Sequence, residues 1–193
     1  IIVNSYVGQQ RLVDSSGTNN ILTNKKIAVV LLQSIYNLTK TKPSSEVEQL
    51  FFNLTRADSV ASYYDEVSYK RLNLTGKSYG WYNSSLYFSG SNCSYVNLAL
   101  EAISLSDMDI NFSNYDTLVI VLSKPSCLFG DIATSVNLSF NTNDGLVKMK
   151  LALFSDVKDI NNSAMAGVHE IGHTLGLQHA GALYCQGNIV IAD

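Results

Sequence analysis

Three histidines, a glutamate and a glycine stand at fixed intervals near the end of this 193-residue chain, in the stretch HEIGHTLGLQHA from His169 to Ala180. Histidines four residues apart project from one face of a helix, so His169 and His173 can offer two imidazole nitrogens to one ion. Glu170 neighbours a ligand, where its carboxylate can hydrogen-bond a metal-bound water and act as general base. Gly176 can adopt the left-handed conformation that stops a helix, letting the chain turn back and bring His179 to the same ion. Three neutral nitrogens plus one water make a tetrahedral site with an open position, the arrangement of catalytic rather than structural zinc. The chain has 3 histidines in all, and every one lies in this pattern. H-E-x-x-H alone is a frequent accident, whereas the full H-E-x-x-H-x-x-G-x-x-H arises in roughly one chain in a hundred thousand of this length. Zinc is therefore the expected cofactor, with His169, His173 and His179 as ligands and Glu170 as the catalytic base.

The extended pattern is that of the metzincin clan of zinc endopeptidases, and the chain resembles in particular its gametolysin and immune inhibitor A type. Three more stretches are similar to that type: SVASYYDEVSYKRLNLTGKSYGWY from Ser59 to Tyr82, DINFSNYDTLVIVLS from Asp109 to Ser123, and HAGALYC from His179 to Cys185. The resemblance implies an α+β, zincin-like fold, with a mixed, mostly parallel twisted sheet and an active-site helix carrying H-E-x-x-H. It implies a secreted or cell-surface zinc endopeptidase that acts on a protein or peptide substrate. It also implies an edge strand above the zinc that receives the substrate in extended form, for which Ser135 to Asn141 is the candidate. Metzincins place a methionine-containing turn after the third histidine. Here no methionine follows His179, and Met108, Met149 and Met165 all precede the motif. The expected organisation is a lead-in over residues 1–24 and the upper, N-terminal subdomain of a metzincin-like catalytic domain over 25–193, continued beyond Asp193. The competing expectation is a glycosylated structural or adhesive surface protein on the same scaffold, catalytically weak or inactive.

Composition narrows the classes further. A hydrophobic content of 46% in 193 residues suits one soluble domain with a proper core. Net charge is −3, with 15% charged residues and no basic run, which argues against nucleic acid as a partner. The longest apolar run, Ile27 to Leu32, is far too short to span a bilayer. The chain starts without an initiator methionine or signal sequence, as expected of a processed or trimmed product. Sequons for N-linked glycans start at Asn37, Asn53, Asn73, Asn83, Asn92, Asn111, Asn137 and Asn161, a density that points to an extracellular location. Of the 3 cysteines, the preferred pair is Cys93 with Cys127, leaving Cys185 for a partner beyond Asp193. Spacing alone leaves other connectivities open.

These residues need elements to position them. The run KKIAVVLLQSI from Lys25 reads as a strand buried on both faces. Val47, Leu50 and Phe51 recur at helical spacing in Ser44 to Asn53, and Asp58 or Ser59 can cap a second helix running through Tyr69. Tyr63, Tyr64 and Tyr69 in that helix read as half-buried packing, with their hydroxyls reaching water. The segment RLNLTGKSYGWYN reads as a strand broken at Gly76 and Gly80, with Trp81 anchoring the core beneath. A helix is expected over Tyr95 to Ser104. Asp107 to Asn111 looks superficially like a calcium loop, but Phe112 and Leu118 stand where glycine and glutamate belong, so a turn is expected. Thr117 to Ser123 is a buried strand ended by Pro125. Ala133 to Asn141 alternates, with Val136, Leu138 and Phe140 pointing inward, and turns at Asn143-Asp144-Gly145 into a strand over Val147 to Ser155. The motif helix should start near Asn161 to Ser163 and seat itself on Ala164, Val168, Ile171 and Leu175.

Overall fold

A computed structural model describes residues 23–38, 42–90, 93–123, 126–127, 131–155, 160–179, 183–186 and 189–192, with side chains excepted at 126–127, 155, 160–163, 183–186 and 189–192. Chain order runs β1 (Thr23–Ser34), α1 (Ser44–Phe52), α2 (Val60–Val67), β2 (Leu72–Ser84), β3 (Ser89–Gly90) and α3 (Tyr95–Ser106). It continues with a 3-10 turn (Phe112–Asn114), β4 (Thr117–Leu122), β5 (Ser126–Cys127), β6 (Ile132–Ala133), β7 (Leu138–Thr142), β8 (Gly145–Ser155), α4 (Ile160–Thr174), β9 (Leu183–Gln186) and β10 (Ile189–Ala192). The main sheet has the order β2-β1-β4-β8-β6, and β7 also pairs with β8. β2, β1, β4 and β8 are mutually parallel; β6 and β7 pair antiparallel along the outer side of β8. The fold is thus mixed α/β, with a mostly parallel sheet and four α-helices among the described residues, compatible with the expected α+β class.

Burial explains the parallel centre. Every residue from Ile27 to Ser34 and from Thr117 to Leu122 is buried, as a strand covered on both faces requires. Alternate residues serve two cores. Ala28, Val30 and Leu32 meet α3 through Leu98, Ala102 and Ile103. Ile27, Val29 and Leu31 meet α1, α2 and α4 on the other face. The result is three layers, with the motif helix on the side opposite α3.

Several expectations need adjustment. The first strand begins at Thr23 rather than Lys25, and residues 1–22 of the expected lead-in lie outside the described residues. α2 is capped by Ser59, whose hydroxyl accepts from the Ser62 amide at 3.0 Å, but it ends at Val67. Tyr69 and Lys70 then take positive φ angles of 55° and 60°, and Tyr69 is 85% exposed. β2 runs unbroken through both glycines. A Cβ on Gly76 would lie 2.0 Å from the Ile27 carbonyl oxygen and 2.5 Å from the Phe52 ring, so the glycine permits close approach and does not mark a break. Gly80, at φ +91°, sits beside the bulge where β2 shifts register against β1. Trp81 is only partly buried, and its indole N–H donates to the Lys42 carbonyl at 2.8 Å. The stretch from Ala133 to Asn141 is two short strands around a bend, with Val136 64% exposed.

The acidic turn behaves as expected, by bonding to amides. Asp107 accepts from the Asn143 amide and Asp144 from the Phe112 amide, both at 2.9 Å, which ties the turn to the β7–β8 hairpin. Cys93 is disulfide-bonded. The side chains of Cys127 and Cys185 lie outside the described residues, as do Pro125 and Asn92, although the β3–β5 ladder places Cys127 opposite Gly90. No described helix is long and apolar enough to cross a membrane.

Two glycine substitutions should separate crowding from backbone strain. Gly76→Ala should cost about 3 kcal/mol of unfolding free energy, because backbone and an aromatic ring occupy the added methyl's place. Gly145→Ala, at φ +99° with open space around it, should cost about 1 kcal/mol from its backbone angle alone. Urea denaturation of the two variants would measure the difference, and equal losses would refute the account.

Candidate metal centre

The motif helix α4 follows β8 and packs back across the sheet. Its apolar stripe forms as expected: Ala164 and Ile171 are buried, and Val168 and Leu175 are partly buried against the same core. The helix starts at Ile160, one residue before the expected range, and the side chains of Asn161 to Ser163 lie outside the described residues.

Its last turn is closed by a Schellman arrangement. Gly176, at φ +95°, donates to the His173 carbonyl at 2.9 Å, and Leu177 reaches back to the Gly172 carbonyl at 3.0 Å. The reversal sends His179 back beside the helix. The structure brings all three histidines together: Nε2 of His169 lies 3.1 Å from that of His173 and 3.2 Å from that of His179, and the last two are 3.0 Å apart. Nitrogens held tetrahedrally at roughly 2.0–2.1 Å from one ion would stand about 3.3 Å apart, so the triangle has close to the right size. Tautomer chemistry agrees. Nδ1 of His173 is 2.8 Å from the Leu177 carbonyl oxygen, which can only accept; Nδ1 therefore carries the proton and Nε2 presents its lone pair to the centre. Three such nitrogens suit Zn²⁺. No other group of three metal-ligating side chains is gathered among the described residues.

Glu170 lies beside this triangle but turned inward. Its side chain is 8% exposed, and one carboxylate oxygen is 3.9 Å from Nε2 of His169. Burial raises its carboxyl above the ordinary carboxylate range; His169 and His173 pull it back down, and Asp131 adds to the rise.

The sequence did not point to what holds α4 in place. Tyr64 is 4% exposed, and its hydroxyl donates to the Val168 carbonyl at 2.6 Å instead of reaching water. Burial raises the pKa of that hydroxyl. Gly167 and Gly172 allow the approach: a Cβ on Gly167 would meet Val60 at 2.7 Å, and one on Gly172 would meet the Tyr64 hydroxyl at 2.9 Å. The available signal was two glycines inside a helix, each costing about 1 kcal/mol against alanine unless packing requires it. At the helix end the Lys150 ammonium donates to the Thr174 carbonyl, one of the groups a helix C-terminus leaves without an internal partner. Between α2 and α4 opens a cleft of about 860 Å³, walled by Tyr63, Val67, Met165 and Leu177 and bordered by all three histidines.

The stretch expected to form an edge strand, Ser135 to Asn141, does so only from Leu138. Thr134 bonds Leu151 through both its amide and its hydroxyl, Ser135 to Asn137 bend away, and the ladder resumes at Leu138. β6, not β7, is the part of this edge that packs against α4.

The chain matches no family model, and no curated protein matches it.

Gly176→Ala should lower stability by about 1 kcal/mol through its left-handed angle and should reduce the rise in melting temperature on adding zinc, because His179 is displaced. Thermal melts with and without zinc would check both effects.

Proposed function

We propose that this chain is a zinc-dependent endopeptidase of the metzincin type, acting outside the cell on protein or peptide substrates. The observation that carries the reading is the meeting of three histidine Nε2 atoms at 3.0–3.2 Å beside a buried glutamate. His169, His173 and His179 would hold the metal. Zinc bound there would supply Lewis acidity towards a peptide carbonyl and would acidify water towards neutrality.

The chain's own residues account for the remaining roles. Glu170 takes the proton from the attacking water and hands it to the leaving amine. Its side chain is turned inward beside His169, where both proton transfers would take place. His173 is kept in the ligating tautomer by the Leu177 carbonyl. The antiparallel edge made by β6 and β7 offers main-chain groups to an extended peptide. The apolar walls of the cleft would favour an apolar side chain of the substrate beside the histidines.

Two features support the extracellular part of the reading. Cys93 is disulfide-bonded, as expected in an oxidising compartment. Of the sequon asparagines, Asn37, Asn83, Asn111 and Asn137 are exposed, while Asn53 and Asn73 are half-buried. None of these lines the histidine cleft, so sugars on them would leave it clear.

Glu170→Gln should keep zinc in equimolar amount by mass spectrometry and lose roughly 10²–10⁴-fold in peptide hydrolysis. His179→Ala should lose both metal and activity. A Glu170→Gln protein that cleaves at the parent rate would sink the mechanism, and a parent protein that binds zinc but cleaves nothing would favour the adhesive scaffold.

A further inference from the structure

The turn of α4 that carries two of the histidines is intrinsically a weak piece of helix. Gly167 and Gly172 bracket it, and glycine is the residue whose backbone gives most freely. Side-chain contacts do not make up for this at His169. Nδ1 of His173 is fixed on the Leu177 carbonyl, whereas Nδ1 of His169 has no hydrogen-bond partner among the described residues, and its side chain is 52% exposed. Where the His169 ring stands therefore depends on where its backbone is held.

One side chain from another element meets that backbone next to both ligands. The Tyr64 hydroxyl donates at 2.6 Å to the carbonyl of Val168, the residue before His169. It also closes on Gly172, the residue before His173: a Cβ there would lie 2.9 Å from the hydroxyl oxygen, while the next neighbours, on Leu177, would be at an ordinary 3.5 Å and 3.9 Å. In a helix a carbonyl faces the amide four residues on, so the phenol meets α4 at the single link between Val168 and Gly172. Tyr64 is itself held. It is 4% exposed, its ring stands edge-on to Tyr63 with centroids 5.2 Å apart, and the Ser59 hydroxyl fastens the start of α2 by donating to the Asn53 carbonyl at 2.7 Å.

Packing alone does not call for that hydroxyl. Phenylalanine would fill the same space with no polar group to bury, and a buried hydroxyl is compensated only by the bond it makes. We propose that Tyr64 is a positioning residue of the metal centre: through the Val168 carbonyl and the Gly172 contact it sets the spacing at which His169 and His173 present their nitrogens. It acts on the histidines through the main chain, supplying from α2 the rigidity that the two glycines take from α4. The proposal rests on the reading of the three histidines as a metal site.

Metal affinity and ligand geometry are the readouts. Cobalt(II), a coloured stand-in for zinc, is titrated into the protein and its visible absorption is followed. Tyr64→Phe, which removes the hydroxyl alone, should bind cobalt about tenfold more weakly and shift the absorption bands of the bound ion. Gly172→Ala should do the same from the helix side, because its methyl pushes the hydroxyl away; in the Tyr64→Phe background the alanine should add no further loss. Ile103→Val, on α3 across the sheet, is the control for lost stability: it should lower the melting temperature and leave cobalt binding as in the parent. Parent-like affinity and spectrum in Tyr64→Phe, additive losses in the double variant, or an equal loss in Ile103→Val overturns the proposal. A parent protein that takes up no cobalt overturns the metal site itself, and the proposal with it.

Discussion

Everything near the motif depends on one constraint: three imidazoles, two on a helix and one beyond it, must meet within little more than 3 Å. Two of them meet through helical periodicity alone. The third requires the helix to stop within one turn of His173 and the chain to reverse, which the left-handed angle at Gly176 permits. The stop also does chemical work. The turn that carries Leu177 back towards Gly172 sets the Leu177 carbonyl against Nδ1 of His173, so the reversal that delivers the third histidine also orients the second.

A helix end is ordinarily the part of a helix most prone to fray. Here it is held from three sides. Ile171 is fully buried in the core against the sheet; Lys150 reaches from β8 to the Thr174 carbonyl; Tyr64 reaches from α2 to the Val168 carbonyl. Two of these contacts spend a side-chain donor on a helix carbonyl, which adds to backbone hydrogen bonding without requiring a break in the helix. The two glycines facing α2 lower intrinsic helix propensity by about 1 kcal/mol each, and the closer packing of α2 is what they provide in exchange. Rigid support of this kind is what a ligand triangle needs if its size is to be set by the protein.

How much could be read in advance varied with the physical source of each feature. Buried parallel strands were legible because covering both faces demands an unbroken apolar run, as in Ile27 to Leu32. The end of α4 was legible because its left-handed residue is a glycine. The end of α2 closes with the same pair of hydrogen bonds, Tyr69 to Glu66 and Lys70 to Asp65, but its left-handed residues are Tyr69 and Lys70, so no residue type announced the stop. The edge strand was misread for a related reason. Alternation at Val136, Leu138 and Phe140 is real, yet the Thr134 hydroxyl bonds both the Leu151 amide and the Val136 carbonyl, and the chain bulges there. A side chain standing in for a ladder bond leaves no periodic trace. The meeting of Lys25, Lys148 and Lys150 at one small cavity was invisible in principle, since they are brought together only by strand order.

That strand order gives α4 two unlike neighbours. On the side of α2 lies an apolar cleft bordered by the three histidines; towards the sheet, under its C-terminal end, lies a small cavity lined by three lysines. The polarity of the helix itself favours the second placement. Its carbonyls at the C-terminus carry partial negative charge, so ammonium groups gather there at low cost, and Lys150 makes that interaction directly. The same charges at the other end of α4 would oppose its dipole, and nearer the histidines they would compete with a cation for the site. The last turn of α4 thus separates the histidine triangle on one side from Lys25, Lys148 and Lys150 on the other.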